Sequence, residues 1–183
     1  MKRKQKAQDE LPPIKEALLA DQHYRSFRRI VKTIESTLDL DKYYEECVGL
    51  HDSRLSRTLV NKTVATDALS QAVRQDASFR ARYTKIQVAL TKQSGALEEA
   101  IKVTRRHLMS RYRSYTDHLG TKAERIDYMD RYLTRGKNLL SRMKTTIECI
   151  SLLVKDVDAL HWQMKIAYDC MELTYGKNSQ TGV

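Results

Sequence analysis

Five cations, Lys102, Arg105, Arg106, Arg111 and Arg113, stand between Ala100 and Thr116 in a stretch that contains no acidic residue. Tyr112 and Tyr115 are set among them. Cations at helical spacing suit a row of phosphates, and flat rings suit bases that can leave a stack. Together these are the demands of single-stranded nucleic acid. Charged helical faces ordinarily mix signs at i, i+4 spacing, as Glu98 and Lys102 do, but beyond Lys102 the mixing stops. The mutual repulsion of the arginines would be relieved by a bound polyanion, whose released counterions drive association. The five cations are therefore the candidate phosphate contacts. Tyr112 and Tyr115 either stack on bases or continue the apolar face of their helix. Arg25, Arg28, Arg29 and Lys32 place four further cations within about two turns of an earlier helix. They form either a second nucleic-acid contact or a solvated face. A formal net charge of +10 favours an acidic partner.

Other chemistries find little support. His23, His51, His107, His118 and His161 form no H-E-x-x-H and no i, i+4 metal pair. Neither a phosphate-cradling G-x-x-x-x-G-K-[ST] nor a G-x-G-x-x-G occurs. Asp39 and Asp41 near a helix start read as a cap rather than a metal site. These absences predict a protein that is not an enzyme and takes no cofactor or metal. Cys47, Cys149 and Cys170 are odd in number and far apart, which argues against a disulfide framework and for a reduced compartment. No apolar run is long enough to span a bilayer, and no signal-peptide core follows the basic start Met1–Lys6. The expectation is a cytoplasmic protein with no membrane partner.

The elements that must position these residues are helices. Only six Gly and two adjacent Pro, Pro12 and Pro13, interrupt 183 residues. Residues 1–10 read as a basic tail, and Ile14, Leu18, Phe27, Ile30, Val31, Ile34 and Leu38 give one helical stripe. Asp39–Asp41 breaks it and caps a short helix holding Tyr43, Tyr44 and Val48, after which His51-Asp52-Ser53 reads as a turn. A heptad-like stripe then runs from Phe79 through Tyr83, Ile86, Leu90 and Leu97 to Leu119, ending at Gly120. Thr121 and Glu124 fit a capping box that opens a short helix reaching Arg135, with Gly136 as the next break. From Leu140 to Tyr175 apolar residues recur by three and four, Gly176 stops the pattern, and residues 177–183 read as a disordered tail. His161, within that stripe, is expected to be buried or interfacial. A helix over 79–119 would run roughly 60 Å, too long to bury itself in a monomeric domain of this size. The fold class expected is all-α: long amphipathic helices in a bundle or hairpin that assembles into a homo-oligomer. Ile147, Ile150, Val154, Val157, Met164 and Met171 would supply its bundle or intersubunit core.

The order of these pieces carries a resemblance. Asp67-Ala68-Leu69 is followed sixteen residues after Asp67 by Tyr83, within Ala81-Arg82-Tyr83. Then come Leu90, Glu98-Glu99, Lys102 and Arg111-Tyr112-Arg113-Ser114-Tyr115, and a final amphipathic stretch from Ile147 to Gly176. In this order and spacing the chain resembles the UvsY-type recombination mediators of large tailed phages. The likeness covers residues 67–176. It leaves 1–66 as a basic tail and helical arm without counterpart, and lacks the family's glycine directly after its tyrosines, the nearest being Gly120. The resemblance implies a non-enzymatic, ring-like homo-oligomer acting in DNA recombination and repair within the phage-infected host cell. Such a protein binds single-stranded DNA, loosens single-strand-binding protein and helps a RecA-like recombinase load. The rival expectation is an oligomeric helical scaffold or adaptor that uses the same stripes to grip another protein.

Overall fold

The computed structural model of the chain describes residues 13–55 and 66–180. Among these the secondary structure is helical, without strands. In chain order the elements are α1 (Ile14–Ala20), α2 (Gln22–Thr37), α3 (Leu40–Leu55) and α4 (Thr66–Arg111), then a 3₁₀ turn at Arg113–Tyr115. Next come α5 (Lys122–Asp130), a second 3₁₀ turn at Arg131–Leu133, and α6 (Thr134–Gln180). The described residues fall into two compact units, one of 13–39 with 91–144 and the other of 40–55 and 66–90 with 145–180. The described residues of the arm expected over 1–66 are shared between the two units, 13–39 in the first and 40–55 in the second. The tail at 1–10 and the end at 181–183 lie outside the described residues.

In the first unit α1 and α2 bury Ile14, Leu18, Phe27, Val31 and Ile34. The second half of α4 buries Leu97, Ile101, Leu108 and Tyr112, and the chain from α5 into α6 buries Met129, Leu133, Leu139 and Met143. In the second unit α3 contributes Leu40 and Cys47, the first half of α4 contributes Tyr83, Ile86 and Leu90, and α6 contributes Ile150 and Val157. Arg80–Asp158 and Gln87–Ser151 pair in opposite order along α4 and α6, so the two helices are antiparallel there. The buried α4 positions recur by three and four, as the stripe predicts. Helix length alone therefore does not require an oligomer: each half of α4 is covered within its own unit of the same chain. Of the six positions expected in a bundle or intersubunit core, Ile150 and Val157 are buried inside the second unit. Ile147, Val154 and Met164 are half-buried, and the side chain of Met171 lies outside the described residues.

Several boundaries differ from those expected, each for a local reason. The 14–38 stripe is broken at Asp21, whose extended backbone and side chain cap α2 by accepting the Tyr24 N–H at 3.0 Å. His51-Asp52-Ser53 lies inside α3 rather than in a turn. The helix expected to reach Gly120 stops at Arg111, where Tyr112 leaves helical geometry with its ring buried and its hydroxyl donating to the Ala17 carbonyl. The capping box at Thr121 and Glu124 is present in both directions, at 3.1 and 2.9 Å. The helix it opens, however, ends at Asp130. Gly136 is not a break but lies inside α6, facing α2. A Cβ there would stand 2.7 Å from Phe27 Cζ and 3.3 Å from Val31 Cγ2, so only glycine allows this approach. Gly176 does not stop α6, which continues to Gln180. His161 is exposed.

Candidate nucleic-acid interface

Phe27, Val31 and Ile34 set the inward face of α2, and the 3.6-residue repeat then puts Arg25, Arg28, Arg29 and Lys32 together on one flank. These four cations, Lys15 of α1 and Arg135 of α6 line a groove of about 650 Å³ in the first unit. Leu18, Phe27 and Val31 supply apolar lining, and Tyr24 and Tyr132 add aromatic rings. Tyr24 Oη donates to the Tyr132 carbonyl oxygen at 3.1 Å, tying α2 to the second 3₁₀ turn. Arg135 Nε donates to Glu35 Oε1 at 2.9 Å, which holds the Glu35 carboxyl below its usual range and engages Arg135. Lys15, Arg25, Arg28, Arg29 and Lys32 are exposed and have no acidic partner among the described residues. Their field is therefore uncompensated within the groove.

The Lys102–Tyr115 strip is acid-free in sequence but not in space. Arg105 makes two hydrogen bonds to Asp130, at 2.6 and 3.0 Å, and Asp130 also pairs with Lys137. Lys102 lies 3.7 Å from Glu99, and Arg113 lies 3.7 Å from Asp117, all on the surface. Arg111 lies 3.5 Å from Asp21. Arg106 is exposed with no acidic partner among the described residues. Of the open alternatives for the tyrosines, Tyr112 is core: it is 6% exposed and its hydroxyl donates to Asp21 Oδ2 at 3.0 Å. Tyr115 is half-buried with its ring 5.9 Å from that of Tyr112.

Asp21 joins the two cation sets, since it caps α2 and receives the end of α4. Burial pushes its carboxyl up. The His107, Tyr24 N–H and Tyr112 hydrogen bonds, with the His107 charge, outweigh burial and lower its pKa to about 2. His107 Nε2 lies 2.9 Å from Asp21 Oδ2, and its ring lies 4.2 Å from that of His23, tilted by 31°.

A further row of rings was not anticipated from sequence. His118 packs edge-on to Tyr128 at 6.3 Å, and Tyr128 to Tyr132 at 6.0 Å. Burial, together with the Tyr128 hydroxyl, pushes the Tyr132 phenol up to about 12, so it stays neutral at working pH. Lys15 and Arg135 were also missed, because only the folded chain brings them to α2. The three-residue spacing of Tyr132 and Arg135 was the one local signal for the far wall. Among the described residues no group of three His, Cys, Asp or Glu could hold a metal ion, and no helix is long and apolar enough to cross a membrane.

The fold and groove thus define an all-α protein with a concentrated cationic surface. No family model, no curated protein and no solved structure matches the chain.

Proposed function

We propose that this chain is a non-enzymatic, single-stranded DNA-binding protein of recombination or repair, which helps a RecA-like recombinase load onto strands covered by single-strand-binding protein. The observation that carries the binding step is the groove: five exposed cations without acidic partners among the described residues, beside an apolar and aromatic floor. Phosphates would follow Arg25, Arg28, Arg29, Lys32 and Lys15. Arg106 and the exposed side chains of Arg111 and Arg113 extend the contact at lower density, and Arg105 holds Asp130 rather than a phosphate. The mediator role and the ring-like self-assembly rest on the resemblance over residues 67–176. Repetition of weak sites around such an assembly would raise avidity for one long strand.

Two measurements test this reading. A labelled single-stranded oligonucleotide should bind in a salt-sensitive manner and more tightly than the same sequence as duplex. On strands covered by single-strand-binding protein, the chain should shorten the lag before a RecA-like recombinase forms filaments. Absence of binding at low salt would sink the whole reading, whereas binding without an effect on the lag would remove only the mediator role.

One observation favours the scaffold alternative. Leu152, Trp162 and Ile166 on α6 and Val88 on α4, all in the second unit, are exposed apolar side chains. A protein partner bound there would be captured with little dependence on salt, and Trp162 fluorescence would report it.

A further inference from the structure

The groove does more than present charge. Tyr24 and Tyr132 line it, and the row continues from Tyr132 to Tyr128 and then to the exposed ring of His118. An edge-to-face pair covers a face of only one of its two rings, and in this row Tyr128 and Tyr132 are half-buried while His118 is exposed. The spacing is informative. Neighbouring rings are 6.0 and 6.3 Å apart, whereas bases in a stacked strand rise by about 3.4 Å. A strand that places successive bases on successive rings must therefore give up its own stacking and extend. The neutral Tyr132 phenol adds no negative charge against the phosphates on the neighbouring cations.

We propose that Tyr132, Tyr128 and His118 form a base-stacking track that continues the cationic groove and selects unstacked single strands. The proposal rests on the reading of the groove as a nucleic-acid site, and it names what that site recognises beyond phosphate. A paired duplex cannot offer base faces to the track, and a strand that stacks strongly on itself loses more by extending than a pyrimidine strand does.

The test uses the full chain and three probes of equal length and charge: oligo(dT), oligo(dA) and an abasic deoxyribose-phosphate strand. Binding is followed by anisotropy at one fixed salt concentration. Each stacked base is expected to tighten binding roughly five- to 150-fold, so oligo(dT) should bind more tightly than the abasic strand by at least that factor. Oligo(dA) should fall between them. Tyr128→Leu should narrow the gap between oligo(dT) and the abasic strand while leaving abasic binding unchanged. Tyr128→Phe, which keeps the ring, should restore the gap. Equal affinity for oligo(dT) and the abasic strand would overturn the stacking track and leave the phosphate groove standing. Equal losses on both probes with Tyr128→Leu would likewise overturn it, assigning Tyr128 to the fold. If none of the three probes binds, the groove reading falls and the track falls with it.

Discussion

Gly136→Ala offers a sharp test of the packing that forms the groove. The added methyl would stand 2.7 Å from Phe27 Cζ, 3.1 Å from Phe27 Cε2 and 3.3 Å from Val31 Cγ2. Both neighbours are core residues, 3% and 2% exposed, so neither can swing away into solvent. Overpacking of this kind costs about 1–3 kcal/mol. Alanine is the better helix former by about 1 kcal/mol, which offsets part of that cost. Gly95 provides the control, because it lies within α4, is exposed, and has nothing within 4 Å of the position a Cβ would take. Gly95→Ala should therefore stabilise by up to about 1 kcal/mol. The difference between the two variants isolates the clash and should reach about 1–3 kcal/mol, or about 2–4 °C in Tm for each kcal/mol in a chain of this size. Urea and thermal unfolding measure it, and trimming Phe27 to Leu should recover much of the loss in the Gly136→Ala background. If Gly136→Ala is as stable as Gly95→Ala, α2 does not approach α6 closely and the groove geometry is wrong.

Asp21 titrates at about 2 when folded against 3.8 otherwise, so its stabilisation is complete above about pH 4 and is lost as pH falls towards 2. That contribution is about 2 kcal/mol, and Asp21→Asn should flatten the urea midpoint between pH 4.5 and 2.5 relative to the wild type; parallel pH profiles would count against the hydrogen bonds that His107, Tyr24 and Tyr112 make to Asp21. Tyr112→Phe should cost about 1 kcal/mol through its lost hydrogen bonds to Asp21 and Ala17, with oligonucleotide affinity unchanged. A fall in affinity at unchanged fold would return Tyr112 to the interface. Burial, with the nearby Glu46 charge, pushes the Cys47 thiol up to about 11, whereas Cys170 is exposed. A thiol reagent at pH 8 should label Cys170 at once and Cys47 only on unfolding, and equal rates would contradict the α3 packing.

The helices themselves were legible because a 3–4 repeat of apolar residues survives in α2, α4 and α6 with few breakers. What escaped was punctuation set by distant partners. Asp21 reads in sequence as one polar residue in a stripe, yet Tyr24, His107 and Tyr112 make it a helix boundary. Gly136 reads as a stop, although it is the point of closest approach between two helices. The pairing of the cations was illegible for a similar reason. A seventeen-residue window without acids cannot reveal that Asp130 and Asp21 fold onto Arg105 and Arg111. Conversely, Arg25, Arg28, Arg29 and Lys32 were visible as a cluster, but the opposite wall at Tyr132 and Arg135 lies a hundred or more residues away in the chain.

On this account the α2 groove, more than the α4 strip, meets the phosphates. The dependence of log affinity on log salt for a single-stranded oligonucleotide tests that most directly, with about 0.7 of slope lost for each phosphate contact removed. A variant with Arg25, Arg28, Arg29 and Lys32 changed to Gln should lose about 2.8 of slope, and one with Arg106 and Arg113 changed to Gln at most about 1.4. A larger loss from the strip variant, or an unchanged slope in the groove variant, would contradict the account.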